Sequence, residues 1–216
     1  MNFYETPVTF ALIALNVLVS IIGFTNAKFV EKAIMWPYGV KRNKQFGRFI
    51  TSGFLHANWS HLFFNMFTFY FFGRNVEIYF SAYALGGAIS YLILYFLALI
   101  VSDIPSYLKY QDDSRYRSLG ASGAVSAVVF AAIIFDPWSR IYLFGAVPLS
   151  AFLFACLYIV YCIYMSRKST DNVNHDAHLW GALFGLAFTL ALIVVKSPDL
   201  VNGILQELKN PSLFGR

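Results

Sequence analysis

Charge is what this sequence of 216 residues has least of. Asp, Glu, Lys and Arg together make up 12% of it, against 58% hydrophobic and 19% aromatic residues, and the mean hydropathy is +0.60. A water-soluble domain carries about twice that charged fraction, so the surface a soluble fold needs is missing. Cysteine is also scarce. Cys156 and Cys162 both fall in one apolar stretch, which excludes a disulfide framework and reads as packing. The net charge of +5 does not imply a nucleic-acid partner, because the Lys and Arg lie in separated loops rather than along one helix or patch. Segments of about ten residues with strict alternation, the mark of a membrane β-barrel, are absent. No cleavable signal peptide is expected: Glu5 and no Lys or Arg precede the first apolar run, and no small-residue cleavage site follows.

What the chain does have is six stretches free of Asp, Glu, Lys and Arg, at 6–27, 49–73, 78–102, 118–135, 141–166 and 177–195. A helix needs about 20 mainly apolar residues to cross the hydrocarbon core, and these runs are 18 to 26 long. The expectation is an all-α polytopic membrane protein in the lipid bilayer, one domain over 1–216. Its spans are expected near 7–25, 58–76, 80–101, 120–136, 141–165 and 177–196. The long polar inserts 28–48, 103–117 and 167–176 all follow odd-numbered runs and so share one face, where function is expected. The stretch 28–57 mixes Phe29, Trp36 and Tyr38 with basic residues, an amphipathic composition that suits the headgroup level.

Polar side chains inside apolar runs are costly unless they face the bundle interior, which makes them functional candidates. The second run holds His56, His61 and Asn65, the fourth opens with Gly120, Ala121, Ser122 and Gly123, and the sixth opens beside His175, Asp176 and His178. These three runs point the same way, so their starts emerge on one face. With Asn58 or Ser60 as N-cap, His61 lies in a first turn, as do Ser122 and His178. Asn65 follows His61 by four residues, about 6 Å deeper on the same helical face. Four polar groups from three helices therefore share one depth.

Such a group suits acyl transfer. Serine needs a base at neutral pH and histidine is the usual one, which pairs Ser122 with His178. Donors aimed at the oxyanion are worth about 3–4 kcal/mol each, and Asn65, His61 and the Ser122 N–H are the candidates. Gly120 and Gly123 allow close backbone approach, and a helix start favours developing negative charge. Asp176 sits two residues from His178 and points to another side of a helix, so the pair is read as a dyad. Gly181 and Gly185, with Ser122 and Ser126, have the spacing that draws helices together. Glu77 reads as a helix-end or loop-ordering group. A metal site is not expected, since His175 and His178 are only three apart and no Cys or carboxylate cluster is available to complete coordination with them and His61.

These residues resemble the rhomboid family of intramembrane serine proteases. His56-x4-His61-x3-Asn65, Gly120-Ala-Ser122-Gly123, His178-x2-Gly181-x3-Gly185 and Gly73-x3-Glu77 are similar to the family's motifs in order and spacing from about Arg48 to Gly185. The resemblance implies a rhomboid-like bundle of six transmembrane helices. It implies Ser122 as nucleophile, His178 as base, His61 and Asn65 at the oxyanion, and His56 as a supporting residue. Membrane-anchored substrates cut near the outer end of a transmembrane helix, with no metal or organic cofactor, are also implied. Two departures stand out. The family's Trp-Arg pair in the first loop is Gly47-Arg48 here. Where some members place an aromatic ring one turn after the serine, stacked on the catalytic histidine, this chain has Ser126.

Eleven Lys and Arg lie on the site's face and five on the other, so the positive-inside rule would place the site in the cytoplasm. The resemblance implies the extracytoplasmic face of the plasma membrane, and that reading is followed. A non-catalytic relative that binds transmembrane helices is the alternative function; such relatives lack the serine or the histidine, and this chain keeps both. A small transporter would be expected to show repeat symmetry or acidic residues near mid-membrane. Spans 2 and 5 are candidate lateral gates, with Gly145 and Pro148 as flex points.

Overall fold

The computed structural model describes residues 5–143, 145–168, 171 and 173–215. In chain order, α1 is Pro7–Thr25, α2 Ala27–Ala33, α3 Pro37–Asn43, α4 Arg48–Thr51, α5 Trp59–Ala82, α6 Gly87–Tyr110 and α7 Ser122–Phe135. A hairpin of β1 (Arg140–Leu143) and β2 (Val147–Ser150) follows, then α8 (Ala151–Lys168), α9 (His175–Lys196) and α10 (Asp199–Leu208). Four helices, α1, α6, α8 and α9, are long and apolar enough to cross a membrane. With α5 and the shorter apolar α7 they make a helical polytopic membrane bundle.

Helix ends depart from the charge-free runs wherever a charge finds a partner. The Glu77 carboxylate accepts from Val8 N–H (2.9 Å), Thr9 N–H (2.8 Å) and the Thr9 hydroxyl (2.7 Å), capping the positive end of α1. Arg74 donates to the Tyr70 hydroxyl (2.8 Å) and lies 4.9 Å from that ring. With Glu77 fully partnered and Arg74 bonded through two of its nitrogens, α5 runs through 74–77 to Ala82 instead of ending there. α6 also continues past Asp103, to Tyr110, so only 111–121 is left as the connection.

Residues 141–143 and 147–150, read from sequence as the start of a helix, lie in the strands of the hairpin. Gly145 takes φ +72 at its turn and Pro148, which has no N–H to donate in a helix, lies in β2 opposite Tyr142. The two flex-point candidates therefore lie outside α8. The C-terminal segment closes this end: Ser150 N–H bonds Leu213 O at 3.0 Å, and Trp138 Nε1 bonds Glu207 O at 2.6 Å.

At the centre stands α7, buried from Gly123 to Ile134, as a helix apolar on all sides should be. Its 14 residues rise about 21 Å, about 9 Å short of the hydrocarbon core. α9 packs on it backbone to backbone. A Cβ at Gly181 would run into the Gly123 carbonyl and one at Gly185 into the Ala127 carbonyl. The facing row is thus Gly123 and Ala127 rather than Ser122 and Ser126. That single-residue shift, about 100° of rotation, leaves both serines free for other partners.

Candidate active site

A cavity of about 840 Å³ opens on the face with the elaborated connections, and His61, Asn65, Ser122 and His178 all line it. Each is set by its own helix start. The Asn58 side chain caps α5 by accepting His61 N–H at 2.8 Å, and Asn174 caps α9 by accepting Ala177 N–H at 3.1 Å. Ser122 is the first residue of α7. Among the described residues no hydrogen bond joins the Ser122 hydroxyl to His178.

Hydrogen-bond partners decide the tautomers of the other rings. His61 Nδ1 accepts from Ala57 N–H at 3.3 Å, so its proton sits on Nε2, a donor. That nitrogen lies 3.0 Å and its neighbour Cε1 2.8 Å from where a Cβ on Gly120 would stand. Gly120 also takes φ +129, a region glycine alone enters without strain. The Ser20 hydroxyl donates to Phe54 O at 3.0 Å, so at 2.8 Å from His56 Nδ1 it accepts, and His56 carries its proton on Nδ1. Burial first, then His61 beside it, pushes the His56 imidazole down to about 3. It is a neutral, buried ring edge-on to His61 at 5.0 Å, a supporting position. Asn65 gives one N–H to His61 O at 3.0 Å and has its second for a ligand.

His178 is framed by residues that spacing alone did not single out. The Tyr158 ring of α8 lies nearly parallel to it at 6.4 Å, and the Tyr158 hydroxyl bonds Ser126 Oγ at 2.7 Å. Where the serine's own helix lacks the aromatic ring, another helix supplies one. Cys162, one turn after Tyr158 on the same face of α8, is buried. One ligand atom each from Cys162, His175 and His178 lies within 4.8 Å of the others. The sequence spacing offered these histidines no cysteine; the fold does. The sign of this face in the sequence was the Tyr158 and Cys162 pair at i and i+4 on a run otherwise suited to lipid. Asp176 pairs with Lys109 at 3.5 Å, and Asp171, held below the usual carboxylate range by the His175 hydrogen bond, belongs to His175.

The first connection is anchored by a second long-range substitution. Arg48 is buried and donates to Ile34 O (2.6 Å), Glu31 O (2.9 Å) and Gln45 Oε1 (2.7 Å), while its guanidinium lies 5.7 Å from the Trp36 ring. The other face of the pairing is Arg117, 4.4 Å from the same ring. Met35 and Ser118 exchange backbone hydrogen bonds at 3.0 and 3.2 Å. These contacts clamp the first connection to the one that precedes Ser122. Behind the serine, Ser102, Asp103 and Asn174 line a void of about 10 Å³, room for roughly one water.

A family model described as the Rhomboid domain matches residues 43–195. The chain is 31% identical over 166 residues to RHOMBOID-like protein 12, mitochondrial, of Arabidopsis thaliana, covering 73% of this chain and 49% of that one. It is 29% identical over 160 residues to Rhomboid-like protein 11, chloroplastic, of the same plant, covering 67% and 52%. RHOMBOID-like protein 6, mitochondrial, is 31% identical over 185 residues, covering 85% and 53%. The chain thus spans about half the length of the curated relatives it matches. Matched over a stretch that carries every residue lining the cavity except Ile34, this chain belongs to the rhomboid family.

Proposed function

We propose that this chain is an intramembrane serine endopeptidase that cuts membrane-anchored substrates in or beside a transmembrane segment. The observation that carries the reading is one cavity lined by Ser122, His178, His61 and Asn65, residues drawn from three helices. Ser122 Oγ attacks the scissile carbonyl carbon as its proton passes to His178. The oxyanion meets the Ser122 N–H, His61 Nε2–H and the second Asn65 N–H. His178 then protonates the leaving amine, and water from the cavity hydrolyses the acyl-enzyme. Gly120 and Gly123 leave room for the substrate backbone, and Gly181 and Gly185 hold α9 against α7.

Substrate access belongs on the side of α8. Ala151 and Cys162 are the buried residues of that helix, which makes it the most loosely held wall of the cavity. A crosslink from α5 to α8 should reduce cleavage of membrane-anchored substrates while leaving reaction with a small fluorophosphonate; unchanged cleavage would remove this route. We place the site near the extracytoplasmic face. The excess of cations on that face runs against this placement, and Arg48, buried in the first connection, and Lys41, paired with Asp112 at 2.8 Å, account for only part of it; the placement rests on the family resemblance. The relatives above are named as mitochondrial and chloroplastic, which gives a plasma-membrane address no support.

The test is fluorophosphonate labelling of the purified chain in detergent, which needs no known substrate. Labelling that maps to Ser122 and disappears in both Ser122→Ala and His178→Ala is the expected result. A folded chain that does not label would move the reading to a non-catalytic binder of transmembrane helices.

A further inference from the structure

Beside His178, the fold assembles a group of side chains that peptide hydrolysis does not use. α8 turns Cys162 inward, fully buried. His175, 4% exposed, precedes His178 by three residues and so lies on the same face of α9. The ligand atoms of the three lie within 4.8 Å of one another. Around a tetrahedral zinc ion, with Zn–S near 2.3 Å and Zn–N near 2.0 Å, such atoms stand roughly 3.3–3.6 Å apart. Closing that difference takes shifts of about an ångström, the scale of side-chain rotation.

A second observation points to a ligand independently. His175 Nε2 bonds the Asp171 carboxylate at 3.0 and 3.2 Å, so the ring proton resides there and the lone pair is on Nδ1. That Nδ1 is buried and has no hydrogen-bond partner. An imidazole whose far nitrogen is held by a carboxylate is oriented, and made more basic, as metal-binding histidines are. The ion has a path as well, because His175, His178, Asp171 and Asp176 line the open cavity.

We propose that Cys162, His175 and His178 form a three-ligand site for zinc, and that occupation of it shuts down the Ser122 nucleophile. A thiolate with two imidazoles suits a borderline-soft divalent ion and does not suit magnesium or calcium, which take oxygen. On binding, Cys162 loses its thiol proton to solvent, the two histidines donate lone pairs, and a water from the cavity fills the fourth position. Nothing is oxidised or reduced. With its ring pinned on the cation, His178 no longer accepts the serine proton. This inhibitory half rests on the proposed protease reading; the site itself does not.

The experiment uses the full chain in detergent, stripped of metal, with cobalt(II) as a spectroscopic probe for zinc. One equivalent of cobalt should give a thiolate-to-metal charge-transfer band that zinc abolishes. The band should vanish in Cys162→Ser and in His175→Gln and persist in Cys156→Ser, whose residue is exposed. With free zinc at ten times its dissociation constant, fluorophosphonate labelling should fall roughly tenfold, recover with chelator, and stay constant in Cys162→Ser. Absence of the band in the unaltered chain, or its full retention in folded Cys162→Ser or His175→Gln, overturns the site. A normal band with labelling unmoved by zinc overturns the inhibition. If the metal-free chain does not label at all, the protease reading fails while the cobalt band still decides the site.

Discussion

Tyr158 of α8 lies over the His178 ring of α9 at 6.4 Å with 20° between the planes, and the hydroxyl of Ser126 fixes its tip. A nearly parallel ring at that distance limits the space in which the imidazole can turn. Tyr158→Phe keeps the ring and loses the tether, so labelling of Ser122 should slow by a few-fold. Tyr158→Ala removes the support and should slow it by roughly a hundredfold, within the range that misplacement of a reacting group produces. Equal rates for Tyr158→Ala and the unaltered chain would remove the positioning role.

Gly120 is the position least tolerant of a side chain. A Cβ there would meet the His61 ring within 3.0 Å, on a backbone at φ +129. Gly120→Ala should displace His61 and cost about 10²–10³ in rate, as loss of one oxyanion donor does. Far-ultraviolet circular dichroism should report unchanged helix. Full activity in the alanine variant would show that the His61 ring is not needed where it stands.

His56 gives the chain a pH dependence with a definite sign. Its folded value of about 3 lies below the ordinary histidine value near 6.5. Between those values the unfolded chain binds a proton that the folded chain refuses, so stability falls as pH drops through that window. Above pH 6.5 the contribution is constant. The slope from this one site is at most about 1.4 kcal/mol per pH unit. Thermal unfolding in detergent should show a shallower slope between pH 6.5 and 3 for His56→Gln, although that variant starts less stable. A slope identical to that of the unaltered chain would mean His56 titrates normally.

Glu77 serves structure. Its carboxylate takes three donors from the start of α1, so Glu77→Gln should lower stability by about 1–3 kcal/mol and leave the labelling rate of the folded fraction unchanged. A selective loss of labelling in a protein that melts normally would reassign Glu77 to the chemistry.

Much of this was legible in the linear chain, for reasons that are local. Apolar run length is a property of consecutive residues, and the bilayer imposes one thickness on all of them, so the six helices of the bundle stand out. Helical period and a common direction are also local. They bring His61, Asn65, Ser122 and His178 to one depth before any contact is known, and the cavity is lined by these same four. Charge-free runs erred where a charge inside a helix was satisfied by a distant partner, as at Glu77. Glu77 is used by Thr9, 68 residues away, so α5 continues where the run ended.

The two departures from the family pattern show the same limit. Gly47 stands where a tryptophan was expected, yet Trp36 lies against Arg48, and Ser126 stands where an aromatic ring was expected, yet Tyr158, 32 residues on, fills the space and bonds to it. Side-chain volume beside a site can come from any helix that passes, and which helix passes is settled by packing. What the sequence by itself determined was membrane residence and a fold of long apolar helices, because hydrophobicity and helical period act residue by residue. Only the tertiary structure decided which rings frame His178, which rows bring α7 and α9 into contact, and that Cys162 joins His175, because these depend on the rotation and meeting of helices that the chain's order leaves open.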